Sequence, residues 1–225
     1  REALVRATIH SSGIGNLIEK QSFDNFDLNW YKDDEKTYEL MKANLAAAKN
    51  YCKNFTKNKS NLLLIGKTGT GKTHISTAIA REVINLGYDV IYDSVQNIIN
   101  DFESDKFRSG YSQSEPVSSK YLECDLLIID DLGVESHSEY RMEGLFNVID
   151  RRVRSGKPMI ITTNLTIKEM DETQDLNEAR IYDRIRAVCQ PVQVKGESQR
   201  KAQRGKMMNK FREYFHGEKR GGPNE

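Results

Sequence analysis

Eight consecutive residues have the types and spacing of a phosphate-binding loop. Residues 66–73 read GKTGTGKT and match the pattern G-x-x-x-x-G-K-[ST]. Glycines let the backbone turn tightly and aim its N–H groups at phosphate oxygens, while Lys72 places a positive charge at the terminal phosphates and Thr73 offers a hydroxyl to Mg²⁺. The predicted nucleotide-binding residues are Gly66, Lys67, Thr68, Gly69, Thr70, Gly71, Lys72 and Thr73.

Two adjacent carboxylates and an amide follow two other apolar stretches. Asp130 and Asp131 follow the apolar run at residues 126–129, and Asn164 follows the run at residues 158–163. A buried strand has little reason to finish in two carboxylates unless a cation sits there, so we predict that Asp130 holds Mg²⁺ and Asp131 faces an attacking water molecule. Asn164 can orient water near the terminal phosphate, because an amide both donates and accepts hydrogen bonds. Taken alone, the acids could cap a strand end and the amide could belong to a turn.

These residues need a scaffold, and the sequence alternates strand-like and helix-like segments around them. Short apolar runs predict strands, and apolar residues at helical spacing between them predict helices. Continuous apolar strands indicate a sheet covered on both faces, and intervening helices indicate parallel βαβ units. The predicted strands span residues 61–65, 88–92, 125–129 and 158–163, and the helices follow the loop, run from Ser94 to about 107 and span 139–153. We therefore predict an α/β fold with a parallel sheet flanked by helices on both faces.

Further segments extend this core on both sides. A lead-in helix at residues 32–54 and a polar linker at 56–60 precede it. A helix at 176–188 and a short strand at 191–194 complete it, and a basic helix at 197–215 follows, with a Gly-Pro tail predicted to be disordered. We divide the chain into a lead-in at 1–60, an ATPase core at 61–195 and a basic C-terminal extension at 196–225.

The balanced overall charge hides a strong asymmetry. The 34 basic and 33 acidic residues give a net charge of +1. Residues 195–220 contain nine basic and three acidic side chains, a net charge of +6, so the other 25 basic and 30 acidic residues sum to −5. Such a basic stretch is either a solvated helix face or an arm that contacts nucleic acid phosphates.

Several classes of protein are excluded by composition. No apolar run reaches the length of a membrane-spanning helix, and the chain shows no basic-then-apolar leader, so we expect a cytoplasmic protein with no membrane partner. Three widely spaced cysteines, Cys52, Cys124 and Cys189, form no metal or disulfide motif and are expected to be reduced thiols. The four histidines have no metal-ligand spacing.

These motifs together resemble those of the AAA+ ATPases. More narrowly, the chain resembles the DnaC/DnaI-type replicative helicase loaders and the related IstB-type transposition ATPases. The resemblance covers about residues 23–206. The segments that carry it are GKTGTGKT at 66–73, LIIDDLG at 127–133, TTN at 162–164, ARIYDRI at 179–185 and the lead-in FDNF at 23–26.

The resemblance implies roles residue by residue. Lys72 and Thr73 bind phosphate and Mg²⁺, Asp130 and Asp131 are the Walker B acids, and Asn164 is sensor 1. One of two arginines, Arg184 preferred over Arg180, is the arginine finger that reaches the ATP site of a neighbouring subunit. Arg200 aligns with the sensor 2 arginine. The interval 94–124 would hold an extra helix that touches single-stranded DNA.

The family implies a function, and this sequence departs from the family in two respects. Asp131 is one methylene shorter than the Glu of many AAA+ proteins, which leaves the catalytic base open. Few residues precede the lead-in FDNF, so we expect the helicase-binding domain to be absent or truncated. The expected function is a slow ATPase, stimulated by assembly or DNA, that uses ATP/ADP and Mg²⁺, binds single-stranded DNA and delivers a replicative DNA helicase.

Two alternatives remain open at this stage. The first is an IstB-like transposition helper that would bind duplex DNA and a transposase. The second is a nucleotide-gated DNA- or protein-binding module with little turnover.

Overall fold

A five-stranded parallel sheet forms the centre of the fold. The computed structural model describes residues 15–57, 60–108, 115–133 and 139–216. The strands are β1 (Asn61–Ile65), β2 (Val90–Ser94), β3 (Leu126–Leu132), β4 (Met159–Thr163) and β5 (Cys189–Gln193). Their order is β2-β3-β4-β1-β5, and every pair is parallel. The predicted parallel sheet is confirmed.

Helices surround the sheet. In the chain they lie before, between and after the strands. They are α1 (Gly15–Lys20), α2 (Glu35–Lys53), α3 (Lys72–Asn85), α4 (Val95–Arg108), α5 (Lys120–Glu123), α6 (Glu139–Ser155), α7 (Ile167–Asp171), α8 (Leu176–Val188) and α9 (Gln199–His216), with 3₁₀ turns at Leu28–Tyr31 and Val117–Ser119. Among the described residues, no helix combines the length and apolar composition needed to cross a bilayer.

The apolar strands separate two hydrophobic clusters. In β1, Leu62 and Leu64 join one cluster with α2 and α3, while Leu63 joins the other with α4, α6 and α8. Successive strand side chains point to opposite faces, so a strand covered on both sides must be apolar throughout. The predicted cover of helices on both faces is therefore confirmed.

The lead-in segment contributes to the first of these clusters. Ile18, Phe23, Tyr31 and Met41 are all buried in it, together with residues of β1 and α3. The helix α2 begins at Glu35 rather than near residue 32, because Asp34 caps it by accepting a hydrogen bond from the Lys36 N–H at 3.1 Å. The described part of the lead-in, residues 15–57, is thus packed directly onto the layer that carries the phosphate-binding loop.

Several element boundaries differ from the sequence-based expectation. β2 runs from Val90 to Ser94 instead of 88–92, and Ser94 Oγ then accepts a hydrogen bond from the Asn97 N–H at 3.2 Å, which starts α4. The last strand begins at Cys189 and includes Pro191, which β5 tolerates as an edge strand. The short helices α1 and α7 are not predicted from the sequence, and the position of α5 does not follow from the residue pattern, because four to six residues carry too little periodicity.

Three further expectations concern the interval after Ser94, the cysteines and the C-terminal tail. The second helical piece of that interval is α5, and its Tyr121 is fully buried; contact with DNA there stays a prediction. All three cysteines are buried free thiols in the structure. The predicted disordered tail lies outside the described residues.

Candidate functional site

The loop of residues 66–73 joins the end of β1 to the start of α3. Gly69 and Gly71 have φ values of +82° and +108°, in the left-handed region that favours glycine. Gly71 is the N-cap of α3, so the free N–H groups of the first helical turn face the loop. Thr70 is buried and its Oγ1 donates to the Lys67 carbonyl at 2.8 Å, while Lys67 and Thr68 are exposed at the tip.

Lys72 and Asn164 meet although 92 positions separate them. The Lys72 Nζ donates to Asn164 Oδ1 at 2.7 Å and to the Gly66 carbonyl at 2.7 Å. β1 and β4 are neighbours in the sheet, so the ends of both strands lie at the same edge. Burial lowers the pKa of Lys72, and the nearby charges of Asp131 and Asp130 oppose this shift.

A β-bulge separates the two carboxylates at the end of β3. Ile129 pairs with Ile161 and Leu132 pairs with Thr163, so Asp130 and Asp131 together stand opposite one residue of β4. That residue is Thr162. Its Oγ1 donates to Asp130 Oδ1 at 2.5 Å and accepts from the Asp131 N–H at 3.0 Å.

The bulge gives the two acids different environments. Asp131 has a φ of +58°, an unfavourable conformation for a residue with a side chain, and it is exposed. Asp130 is half-buried, and burial raises its pKa, while the hydrogen bond from Thr162 lowers it. A cation beside Asp130 would favour its charged form. The Asp130 carboxylate and the Thr73 hydroxyl are the hard oxygen donors that Mg²⁺ prefers, so these residues fit the metal.

One cavity connects the loop with the segment after α1 and with the start of α9. It is lined by Gln21, Gly69, Gly71, Lys72, Thr73, His74, Gln199 and Arg200. The helix N-terminus, the ammonium group and the guanidinium group give it three sources of positive potential. A cavity with this lining fits a polyphosphate. The structure therefore places Arg200 beside the loop, and its role as sensor 2 stays a prediction.

Three cavity residues carry no recognisable sequence signal. Gln21, His74 and Gln199 all lie outside the sequence motifs described above. His74 Nε2 lies 2.9 Å from the Ser22 carbonyl and 3.0 Å from Asn25 Oδ1. Both partner atoms are oxygen acceptors, so the hydrogen is on Nε2 of the ring. Burial lowers the pKa of His74. His74 thus joins Ser22 and Asn25 of the lead-in to the nucleotide cavity.

Two distant segments are attached to the back of the loop. Tyr31 Oη donates to the Thr70 carbonyl at 2.9 Å, and the Gln199 N–H donates to the Gly69 carbonyl at 3.0 Å. Gln199 Nε2 also lies 3.4 Å from Tyr31 Oη, which links the two segments to each other. Burial raises the pKa of Tyr31 to about 12, so its hydroxyl remains a donor at neutral pH.

Arg180 and Arg184 lie on α8, apart from this cluster. The Arg180 guanidinium stands 4.8 Å from the centre of the Phe146 ring, and Arg184 Nη2 lies 2.9 Å from Asp150 Oδ1. Both contacts are made to α6, and none that the structure describes for these two arginines reaches the phosphate-binding loop. An arginine finger at either position would therefore act on a neighbouring subunit.

Comparison with known proteins gives consistent similarities. A family model described as IstB-like ATP binding protein matches residues 5–207. The replicative helicase loader DnaC of Escherichia coli (strain K12) is 31% identical over 186 residues, which cover 83% of this chain and 71% of DnaC.

Solved structures show a similar architecture. A crystal structure of DnaI matches with a TM-score of 0.60 at 24% identity, covering 81% of this chain and 92% of DnaI. A structure of the replication initiator DnaA bound to AMPPCP and single-stranded DNA matches with a TM-score of 0.61 at 21% identity, covering 84% of this chain and 55% of DnaA. These two similarities concern the fold alone, and they agree with the predicted α/β fold, in which helices flank a parallel sheet on both faces.

Proposed function

The chain belongs to the IstB-like ATP-binding protein family, and from this premise we propose that it is an ATP-switched loader of a replicative DNA helicase. In this proposal it binds single-stranded DNA and hydrolyses ATP slowly. The single observation that carries the ATPase part is the meeting of Lys72, Asn164 and Arg200 with the carboxylates at the end of β3.

Each group of the site has a proposed task. The N–H groups of the loop and Lys72 bind the phosphates of ATP, and Arg200 adds a second positive charge. Thr73 and Asp130 hold Mg²⁺, which neutralises phosphate charge when bound. Asn164 and the exposed Asp131 orient water, and Asp131 is the proposed proton acceptor.

The loader part of the proposal rests on relatedness and charge. DnaC, which shares 31% identity with this chain, is named a replicative helicase loader. Phosphate contacts from cations give sequence-independent affinity for nucleic acids, and the basic stretch at 195–220 supplies such cations. We propose self-association through the ATP site, in which Arg184 or Arg180 is the arginine finger acting in trans.

Substitution of the loop lysine tests the ATPase. Lys72→Ala should abolish ATP hydrolysis and the ATP-dependent delivery of helicase onto single-stranded DNA, because it removes the charge nearest the terminal phosphates. Lys168→Ala, which removes an exposed lysine of α7, is the matched control and should behave as the wild type. The measurements are phosphate release and the amount of helicase on DNA. Hydrolysis and loading that persist in Lys72→Ala would refute the proposal.

The family match also favours a second candidate, a transposition helper. Such a protein would bind duplex DNA and a transposase in place of single-stranded DNA and a helicase. Affinity capture with purified helicase and purified transposase separates the two, and selective capture by the transposase would replace the leading proposal.

The short, strained Asp131 favours a third candidate, a nucleotide-gated module with negligible turnover. Single-turnover hydrolysis with and without single-stranded DNA decides this point. A rate stimulated by DNA supports the ATPase, whereas ATP binding without hydrolysis in either condition supports the module.

A further inference from the structure

One face of the C-terminal helix α9 carries a continuous row of exposed side chains. Arg200, Arg204, Met207, Phe211 and Tyr214 follow one another at spacings of four, three, four and three residues. This spacing places them on a single helical face, about 21 Å long at 1.5 Å per residue. All five are exposed, Phe211 by 59% and Tyr214 by 80%. We call these five residues the α9 row.

The exposed apolar side chains of the described residues are concentrated on this helix. Six large hydrophobic residues are exposed, and four of them belong to α9: Met207, Met208, Phe211 and Tyr214. Single exposed apolar residues are ordinary on protein surfaces, whereas a contiguous group marks an interaction surface. The α9 row therefore has the composition of a binding face.

The charge of α9 selects the class of partner. The helix contains six basic residues and one acidic residue, Glu213. A second copy of the same helix would be repelled, and a polyanion would be attracted. Single-stranded nucleic acid offers phosphates to the arginines and unpaired base faces to the aromatic rings, a combination that duplex DNA conceals by base stacking.

The row begins at the nucleotide site. Arg200 lines the nucleotide cavity, and the neighbouring Gln199 N–H donates to the Gly69 carbonyl at 3.0 Å. The first turn of α9 is thus fixed to the phosphate-binding loop, and the aromatic residues follow three to four turns later. A strand lying along the row would pass from the ATP site outwards.

We propose that the α9 row is a contact site for single-stranded DNA, in which Phe211 and Tyr214 stack on bases and Arg204 contacts a phosphate. This inference rests on the DNA binding of the proposed function and adds the residues and the chemistry of the contact. The proposal requires that the protein bind the bases of the strand as well as its phosphates.

The test compares two strands and two double variants by fluorescence anisotropy in the presence of ATP. The probes are a labelled oligothymidylate and an abasic strand with the same number of phosphates. The variant Phe211→Leu/Tyr214→Leu keeps apolar side chains without aromatic faces, and Phe211→Tyr/Tyr214→Phe keeps both rings. Both positions are exposed, so folding of the core does not depend on them.

The wild type should prefer oligothymidylate, and the leucine variant should bind it at least about 30-fold more weakly, since two stacked bases contribute about 1–3 kcal/mol each. Its affinity for the abasic strand should be unchanged, and the ring-keeping variant should match the wild type.

If the wild type binds both strands equally well, or if the leucine variant binds oligothymidylate as tightly as the wild type, the proposed base contact of the α9 row is refuted, but DNA binding by the protein is not. Anionic phospholipid vesicles are a third probe. If the wild type binds neither strand, or binds only the vesicles, the proposed DNA binding is refuted as well. Phosphate release by the same preparations tests the ATPase separately.

Discussion

Thr162 connects the two acids whose roles differ in the proposed reaction. Its hydroxyl donates to the carboxylate of Asp130 and accepts from the backbone N–H of Asp131, so one side chain determines the position of both. It is fully buried, and neither partner can exchange it readily for water. Thr162 therefore acts through the two acids as a positioning residue.

Removing that hydroxyl should slow hydrolysis. Thr162→Val keeps the shape of the side chain but removes the hydroxyl that positions both acids, so kcat should fall about 10-fold, which corresponds to about 1.4 kcal/mol of transition-state stabilisation. Thr162→Ser, which retains the hydroxyl, should keep most of the activity. Steady-state kcat and KM for ATP measure the effect, and equal kcat values for the two variants would show that the contact has no part in catalysis.

The buried position of Asp130 makes stability depend on pH. Its pKa is raised in the folded protein, so charging this carboxyl costs more there than in the unfolded chain. The cost is present above the folded pKa and vanishes below the unfolded pKa. Asp130→Asn should therefore increase the free energy of unfolding at neutral pH and change it little in acid. Urea unfolding without nucleotide measures this, and a gain that is the same at every pH would contradict it.

At the scale of elements, the position of α3 depends on segments far away in the chain. The Tyr31 hydroxyl and the Gln199 N–H hold successive carbonyls of the loop that precedes α3. Trp30 Nε1 also donates to the Glu197 carbonyl at 3.1 Å, which joins the two segments behind the loop. The lead-in and the start of α9 thus form one support for the nucleotide site.

Arg152 supports the opposite ends of the strands. This arginine of α6 is fully buried, and its guanidinium donates to the carbonyls of Tyr121 and Pro158 at 2.7 Å each. A further bond of 3.2 Å reaches the Cys124 carbonyl. It therefore joins the segments that lead into β3 and β4, the two strands whose far ends carry Asp130 and Asn164.

Loss of this arginine should destabilise the whole core. Arg152→Ala leaves several buried carbonyls without donors, so the free energy of unfolding should fall by about 3 kcal/mol. The neighbouring Arg151 is exposed, and Arg151→Ala should change stability by less than about 0.5 kcal/mol. Chemical denaturation of the two variants provides the comparison. Similar losses for both would mean that the buried contacts contribute nothing.

At the scale of the molecule, charge is divided between an acidic core and a basic C-terminal helix. The helix starts at the nucleotide cavity, so the region proposed to bind DNA and the region proposed to bind ATP meet at Gln199 and Arg200. A ligand at either region would contact the same helix. This arrangement provides a physical route for coupling between ATP and DNA.

DNA affinity should decrease steeply with salt, because phosphate contacts release counterions. A plot of log affinity against log salt should have a slope of about −0.7 for each phosphate contacted on a single strand. Arg204→Ala should make the slope shallower by about that amount. Anisotropy titrations at several salt concentrations measure it, and a flat plot for the wild type would remove the basic helix from the DNA contact.

The sequence by itself determined the α/β fold, the phosphate-binding loop and the acids of β3, because each depends on neighbouring residues. The loop is a contiguous motif, and its strand and helix follow from local periodicity. The bulge that separates Asp130 from Asp131 is invisible in the sequence, since it depends on the register between β3 and β4.

Only the tertiary structure decided which residues complete the site. Thr162, Tyr31 and Gln199 reach it through contacts between segments separated by tens of residues or more, for which a single sequence contains no signal. The same holds for Arg180 and Arg184, whose packing against α6 keeps them away from the loop of their own chain. Local patterns specify elements, whereas the packing of those elements determines which side chains meet.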